Sequence, residues 1–169
     1  YLKEAFKRAE SGNYHYGIKL VRGAYMEKEG ERAQQMGYKN PIQPDKASTD
    51  RDYDLALDFC LENINKMAIC AGSHNEKSSE HLVNLIKKHG LEKNDYRIYF
   101  SQLFGMSDHL SYNLAHAGYN VAKYLPYGPV KSVLPYLFRR AQENTSVQGQ
   151  AGRELSLIQK EIKRRRKVS

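Results

Sequence analysis

"KMAICAGSHNEKSSEHLVNLIKKHG", residues 66–90, decides how the chain folds. Its first part is a short apolar run that ends in Ser73, His74 and Asn75. A run of that length bounded by polar residues reads as a buried strand. The second part spaces its apolar residues as a helix does and stops at Gly90, a residue that accepts the left-handed backbone at a helix end. Another strand-like run follows, "DYRIYFSQLFG" at 95–105. Strand, helix and strand with short links is the unit of a parallel sheet, because parallel strands need a crossover element.

The same alternation extends in both directions. Residues 1–11 read as a helix that stops near Gly12, and "YGIKLVRGAY" holds a strand at 16–22. "EKEGERAQQMG" is a helix ended by Gly37, and the loop after it carries Pro41 and Pro44. Thr49 or Asp50 is expected to cap the next helix, with Tyr53, Leu57, Cys60, Leu61 and Ile64 along one side. Beyond residue 105 come a helix capped by Ser107 and ended by Gly118, a strand in "YNVAKYLPYG", a helix through 129–144 and a last helix at 151–166. The class is α/β. Four strands fit either an open sheet or the second half of an eight-stranded (β/α) barrel of the TIM type. Residues 1–150 form the principal domain, and 151–169 a C-terminal helix and basic tail.

Composition narrows the function. Apolar residues make up 40% and charged residues 27% of 169 residues, as in a globular domain. No apolar run approaches a membrane span. The chain opens in helical register without a Met, which reads as a fragment. The two cysteines, Cys60 and Cys70, are too few for a disulfide scaffold and are assigned to core positions. Much of the net charge of +8 lies in the tail "KEIKRRRKVS", so nucleic acid is not the expected partner.

The strands end in polar or special residues, which places chemistry at their C-terminal ends. Tyr136, Arg139, Arg140 and Glu143 fall at i, i+3, i+4 and i+7, one stripe of a helix. Val133, Leu134, Leu137, Phe138 and Ala141 form its apolar side. Adjacent guanidiniums repel, and an anion relieves them. Each fork on a carboxylate or phosphate contributes about 1.5–3 kcal/mol. An ordinary surface helix with i,i+4 pairs would show the same spacing.

In "KLVRGAY", Lys19 and Arg22 flank a strand end, Gly23 allows close approach of a ligand, and Tyr25 follows on the loop. Solvated charges are the alternative. Ser73, His74 and Asn75 offer donors and acceptors at a second strand end, Gln102 and Leu103 lie at a third, and Tyr124 at a fourth. Leu103 by itself reads as core. No second histidine stands at a metal-ligand spacing, so no metal site is assigned. No nucleotide-binding glycine motif and no nucleophile elbow occurs.

Taken in order, "KLVRGAY", "SHN", "QLFGM" and "YLPYGPV…YLFRRAQEN" resemble the proline dehydrogenase family along nearly the whole chain. The resemblance selects the half barrel, because family members are distorted (β/α)₈ barrels with FAD at the C-terminal face. They oxidise L-proline to 1-pyrroline-5-carboxylate and pass electrons to a membrane quinone. It implies that Arg139 and Arg140 grip the substrate carboxylate, while Tyr124, Tyr136, Tyr25 and Leu103 wall the ring. Lys19, Arg22, Gly23, Ala24, Ser73, His74, Asn75 and Glu143 fall at cofactor-contacting positions. Family members often carry arginine at the position of Lys19, and a cation survives the difference.

The implied location is the periphery of the bacterial or mitochondrial inner membrane. The chain alone is expected to be inactive, and to bind FAD poorly unless the N-terminal half of the barrel or a second copy completes it. Hydroxyproline is the alternative substrate. A serine at position 136 is associated with it in the family, so Tyr136 favours proline. A phosphate-binding module built on the arginine pair is the reading from another class.

Overall fold

Apolar residues at every second position of two neighbouring strands build the centre. Met67, Ile69 and Ala71 of β2 (Met67–Gly72) and Ile98 and Phe100 of β3 (Ile98–Leu103) are buried. They pack under Leu57 and Leu61 of α3 (Lys46–Glu62) and Leu82 and Ile86 of α4 (Glu76–Lys88). The computed structural model describes residues 1–22, 25–146 and 150–166, with side chains described outside 141–154.

The other elements are α1 (Leu2–Ser11), β1 (Tyr16–Val21), α2 (Met26–Met36), α5 (Asp108–His116), β4 (Val121–Tyr124), α6 (Val130–Ser146) and α7 (Gln150–Arg166). The sheet runs β1-β2-β3-β4. Parallel register sets Lys19 opposite Cys70, and Cys70 opposite Tyr99. Strand order that follows chain order without reversal is the order of a barrel arc. A doubly wound sheet would turn back at a switch point.

Several local expectations shift. Helix α3 begins at Lys46, and its cap is Asp45 rather than Thr49 or Asp50. The Asp45 carboxylate accepts from the Ser48 N–H at 2.7 Å, and its backbone is extended as a cap requires. That bond holds its carboxyl below the ordinary carboxylate range. An aspartate just after Pro44 meets the first free amides before Thr49 can.

Ser107 stands at the N-cap of α5 but makes no capping bond with its side chain, because its backbone is left-handed at φ +51°. Cys60 is fully buried, its thiol pushed up to about 12 by that burial. Cys70 is only half-buried, because it faces the other side of β2.

The chain divides into two units, Tyr1–Lys123 and Tyr124–Ser169. The first holds the core just described. In the second, Leu134, Leu137 and Phe138 of α6 are exposed rather than buried. Among the described residues no helix is long and apolar enough to cross a membrane.

Candidate active site

Alternation along β1 separates two cations of one motif. Tyr16, Ile18 and Leu20 turn half-buried toward the helices, whereas Lys19 and Val21 are exposed on the opposite face of the sheet. Lys19 lies beside Gly72, the last residue of β2. A Cβ there would stand 2.9 Å from the Leu20 carbonyl oxygen and 3.4 Å from both Lys19 Cε and Val21 Cγ2. The missing side chain therefore leaves a flat floor beside an amine-tipped stem. Cys70 and Tyr99 continue the row across the sheet.

Arg22 lies beyond the strand and turns the other way. Its side chain is 12% exposed and pairs with Asp50 at 2.8 Å and Asp54 at 3.7 Å, both on α3. It donates to Ser78 Oγ and sits 4.6 Å from the centre of the Tyr53 ring. These partners commit the guanidinium to the helical layer. Tyr25 opens α2 with a left-handed backbone, φ +57°, and a half-exposed ring. Gly23 and Ala24, between Arg22 and Tyr25, lie outside the described residues.

At the end of β2, Asn75 caps α4 by accepting from the Ser78 N–H at 3.1 Å. Ser73 Oγ accepts from the Asn75 N–H at 3.1 Å. His74 Nδ1 stands 2.9 Å from the Ser107 hydroxyl. At the end of β3, Leu103 is half-buried and the chain turns through Gly105 at φ +76°.

Lys123 of β4 holds this turn from the other side. Its ammonium donates to the Met106 carbonyl at 2.6 Å and pairs with Asp108 at 2.7 Å. Gln102 is buried and donates to the Ser73 carbonyl at 3.2 Å. The sequence reading passed over Lys123 and reduced Ser107 to a helix cap. The one local signal at Ser107 was a serine directly after a glycine-bearing turn.

Other histidines are tied to carboxylates: His81 to Asp58 at 2.8 Å and His109 to Glu76 at 2.9 Å. His81 is thus bound to α3 rather than turned to solvent as a bare side chain. A groove of about 680 Å³ lies among the outer helices α1, α3 and α4, lined in part by Leu55, Phe59 and His89. It is remote from the strand ends, where the chemistry-bearing residues gather.

In the second unit, Tyr124 and Tyr136 meet edge to face, with ring centres 5.8 Å apart. The Arg140 guanidinium lies 5.1 Å from the Tyr136 ring centre, as the i,i+4 spacing requires. Arg139 and Arg140 are half-buried, and Arg139 Nε is buried without a hydrogen-bond partner among the described residues. The Glu143 side chain lies outside the described residues.

Residues 1–153 match the family described as proline dehydrogenase. The chain is 45% identical to a hydroxyproline dehydrogenase of Xenopus laevis, over 98% of its own length and 38% of the relative's. It is 42% identical to mitochondrial proline dehydrogenase 1 of Homo sapiens, over 98% of this chain and 29% of that one. Among solved structures, proline utilization A from Bdellovibrio bacteriovorus, inactivated by N-propargylglycine, superposes with a TM-score of 0.79 at 29% identity. That match covers 87% of this chain and 15% of the other. The chain thus spans about a third of the length of the curated relatives it matches. Four parallel strands ordered as a barrel arc, the residues gathered at their ends and these matches agree: the chain belongs to the proline dehydrogenase family.

Proposed function

We propose that the protein carrying this chain oxidises L-proline to 1-pyrroline-5-carboxylate with FAD, and that a quinone takes the electrons. The observation that carries the reading is the pairing of Arg139 and Arg140 on a tyrosine support. Arg140 stacks on Tyr136, Tyr136 meets Tyr124, and the buried Arg139 Nε has no partner among the described residues. Two guanidiniums beside aromatic walls suit a small apolar ring that carries a carboxylate.

The residues of the inner sheet face fit a flat, electron-accepting cofactor. Gly72 leaves a surface without a side chain, and Lys19 places an amine stem beside it. Lys19, Ser73, His74 and Asn75 would hold FAD here, and it would supply the two-electron acceptor for oxidising the carbon–nitrogen bond of the ring. Arg139 and Arg140 hold the carboxylate, and Tyr124, Tyr136, Tyr25 and Leu103 wall the ring, so position rather than nucleophilic attack lowers the barrier.

Lys19 supplies positive charge to the cofactor face. Ser73, His74, Asn75, Gly23, Ala24 and Glu143 provide its contacts, and Arg22 fixes the strand end that leads into Gly23 and Ala24. Residues 1–150 supply half of the barrel and 151–169 a helix and tail. The other half, or a second copy, completes it. Relatives named as mitochondrial support a place at the inner membrane, attached peripherally.

The test is Arg139→Lys and Arg140→Lys in the complete protein. Each is expected to lower kcat/KM for proline by about tenfold to a hundredfold, the worth of a charged hydrogen bond. Unchanged kinetics in both would overturn the reading.

Hydroxyproline is the second reading, favoured by the 45% identity to a hydroxyproline dehydrogenase. Tyr136 opposes it, since in the family a serine at this position is associated with hydroxyproline; here the Tyr136 ring lies against Tyr124 and Arg140. The ratio of kcat/KM for the two amino acids decides between them.

A further inference from the structure

We infer that Ser107 is a positioning residue for His74, set by a closed ring of hydrogen bonds that joins the ends of β2 and β3. Two local rules fail at this serine. It carries a left-handed backbone, φ +51°, which glycine adopts without penalty and serine does not. It also occupies the N-cap of α5, where a serine hydroxyl ordinarily accepts from the helix amides, yet it makes no such bond. The hydroxyl lies instead 2.9 Å from His74 Nδ1. A residue held in an unfavoured conformation with its cap forgone is maintained by what its side chain reaches.

The contact belongs to a ring. The Ser107 carbonyl accepts from the Ser111 hydroxyl at 3.2 Å, and the same hydroxyl stands 2.9 Å from Gln102 Oε1. Gln102 Nε2 donates to the Ser73 carbonyl at 3.2 Å, and Ser73 is bonded through the chain to His74. Ser111 has one proton for two acceptors, so it is shared or given to the nearer one. Gln102 is 2% and Ser107 6% exposed, and Ser73 and Ser111 are buried with them. Bonds in such a setting are poorly replaced by water, so the ring holds one arrangement.

The consequence falls on the imidazole. Which nitrogen of a neutral histidine bears the proton is set by the bond the other nitrogen makes. Ser107 at Nδ1 therefore holds the His74 imidazole in one orientation, and because a hydroxyl can donate or accept, the proton position on the ring is tied to the role that hydroxyl takes. The link to catalysis rests on the reading that His74 borders the cofactor.

The test is Ser107→Gly in the complete protein, labelled with ¹⁵N in histidine and with His74 assigned by loss of its signals in His74→Gln. Glycine suits φ +51° and removes the hydroxymethyl group. The His74 ring nitrogen signals are expected to shift in the variant, because Nδ1 loses its hydroxyl partner. kcat/KM for proline is expected to fall roughly tenfold, with the thermal midpoint unchanged or higher. Ser111→Ala opens the ring without touching the strained backbone, and is expected to move the same signals less. Identical His74 signals in wild type and both variants would overturn the inference. Shifted His74 signals with unchanged proline kinetics would sustain the positioning of His74 and remove it from proline oxidation, so the two failures read differently.

Discussion

Lys19 and Arg22 are three residues apart in one motif, and strand alternation sends them to opposite sides of the sheet. Arg22 is ion-paired and hardly exposed, whereas Lys19 stands on the open face. Arg22→Met is therefore expected to destabilise the protein by about 2 kcal/mol, since Asp54 loses its cation and Asp50 keeps only its pairing with the exposed Lys46. Lys19→Met is expected to stay within about 0.5 kcal/mol. Urea unfolding of the two variants checks this, and equal losses would refute the division of labour.

Asp95 makes a comparable local claim. Its carboxylate accepts from the Arg97 side chain at 2.9 and 2.5 Å and from the Arg97 N–H at 3.0 Å. The bond from the Arg97 side chain is the main cause holding its carboxyl below the ordinary value. A carboxyl lowered in the folded state adds stability above the unfolded value, about 3.9, and loses it as pH falls through the folded value. Asp95→Asn is thus expected to cost about 1 kcal/mol near pH 7 and almost nothing at the acid end of the unfolding series.

Among the elements, α3 carries most of the packing over β1 and β2, so its start matters. Asp45→Ala is expected to lower the urea midpoint, because the Ser48 N–H loses its acceptor. Thr49→Ala removes a methyl and a hydroxyl bonded to the Asp45 carbonyl at 3.0 Å, no cap bond, and is expected to leave the midpoint nearly unmoved. The reverse ranking would return the cap to Thr49. The β3–α5 turn is the second element of consequence. It is gripped by His74 from β2 and by Lys123 from β4, which gives an irregular loop the rigidity that a site needs.

For the whole molecule, β1 and β4 are the outer strands of a four-stranded sheet, half the number that closes a (β/α)₈ barrel. The 169-residue chain by itself is expected to purify without a stoichiometric flavin absorbance band, and to gain one when the rest of the barrel is supplied. A full band from the chain alone would show that the half arc suffices.

Sequence periodicity determined the alternation of strands and helices, the core along Leu57, Cys60 and Leu61, and the strand ends where polar residues collect. Those are local properties, written in spacings of two and of three to four residues. The partners of Arg22, the cap at Asp45 and the ring through Ser73, His74, Gln102, Ser107 and Ser111 were decided only in the folded state. His74 and Ser107 are 33 residues apart, and Gln102 and Ser73 are 29. No local pattern encodes which of many polar side chains will meet once parallel strands bring their ends together. Desolvation at that junction makes the selection, because a buried donor or acceptor must find a partner there.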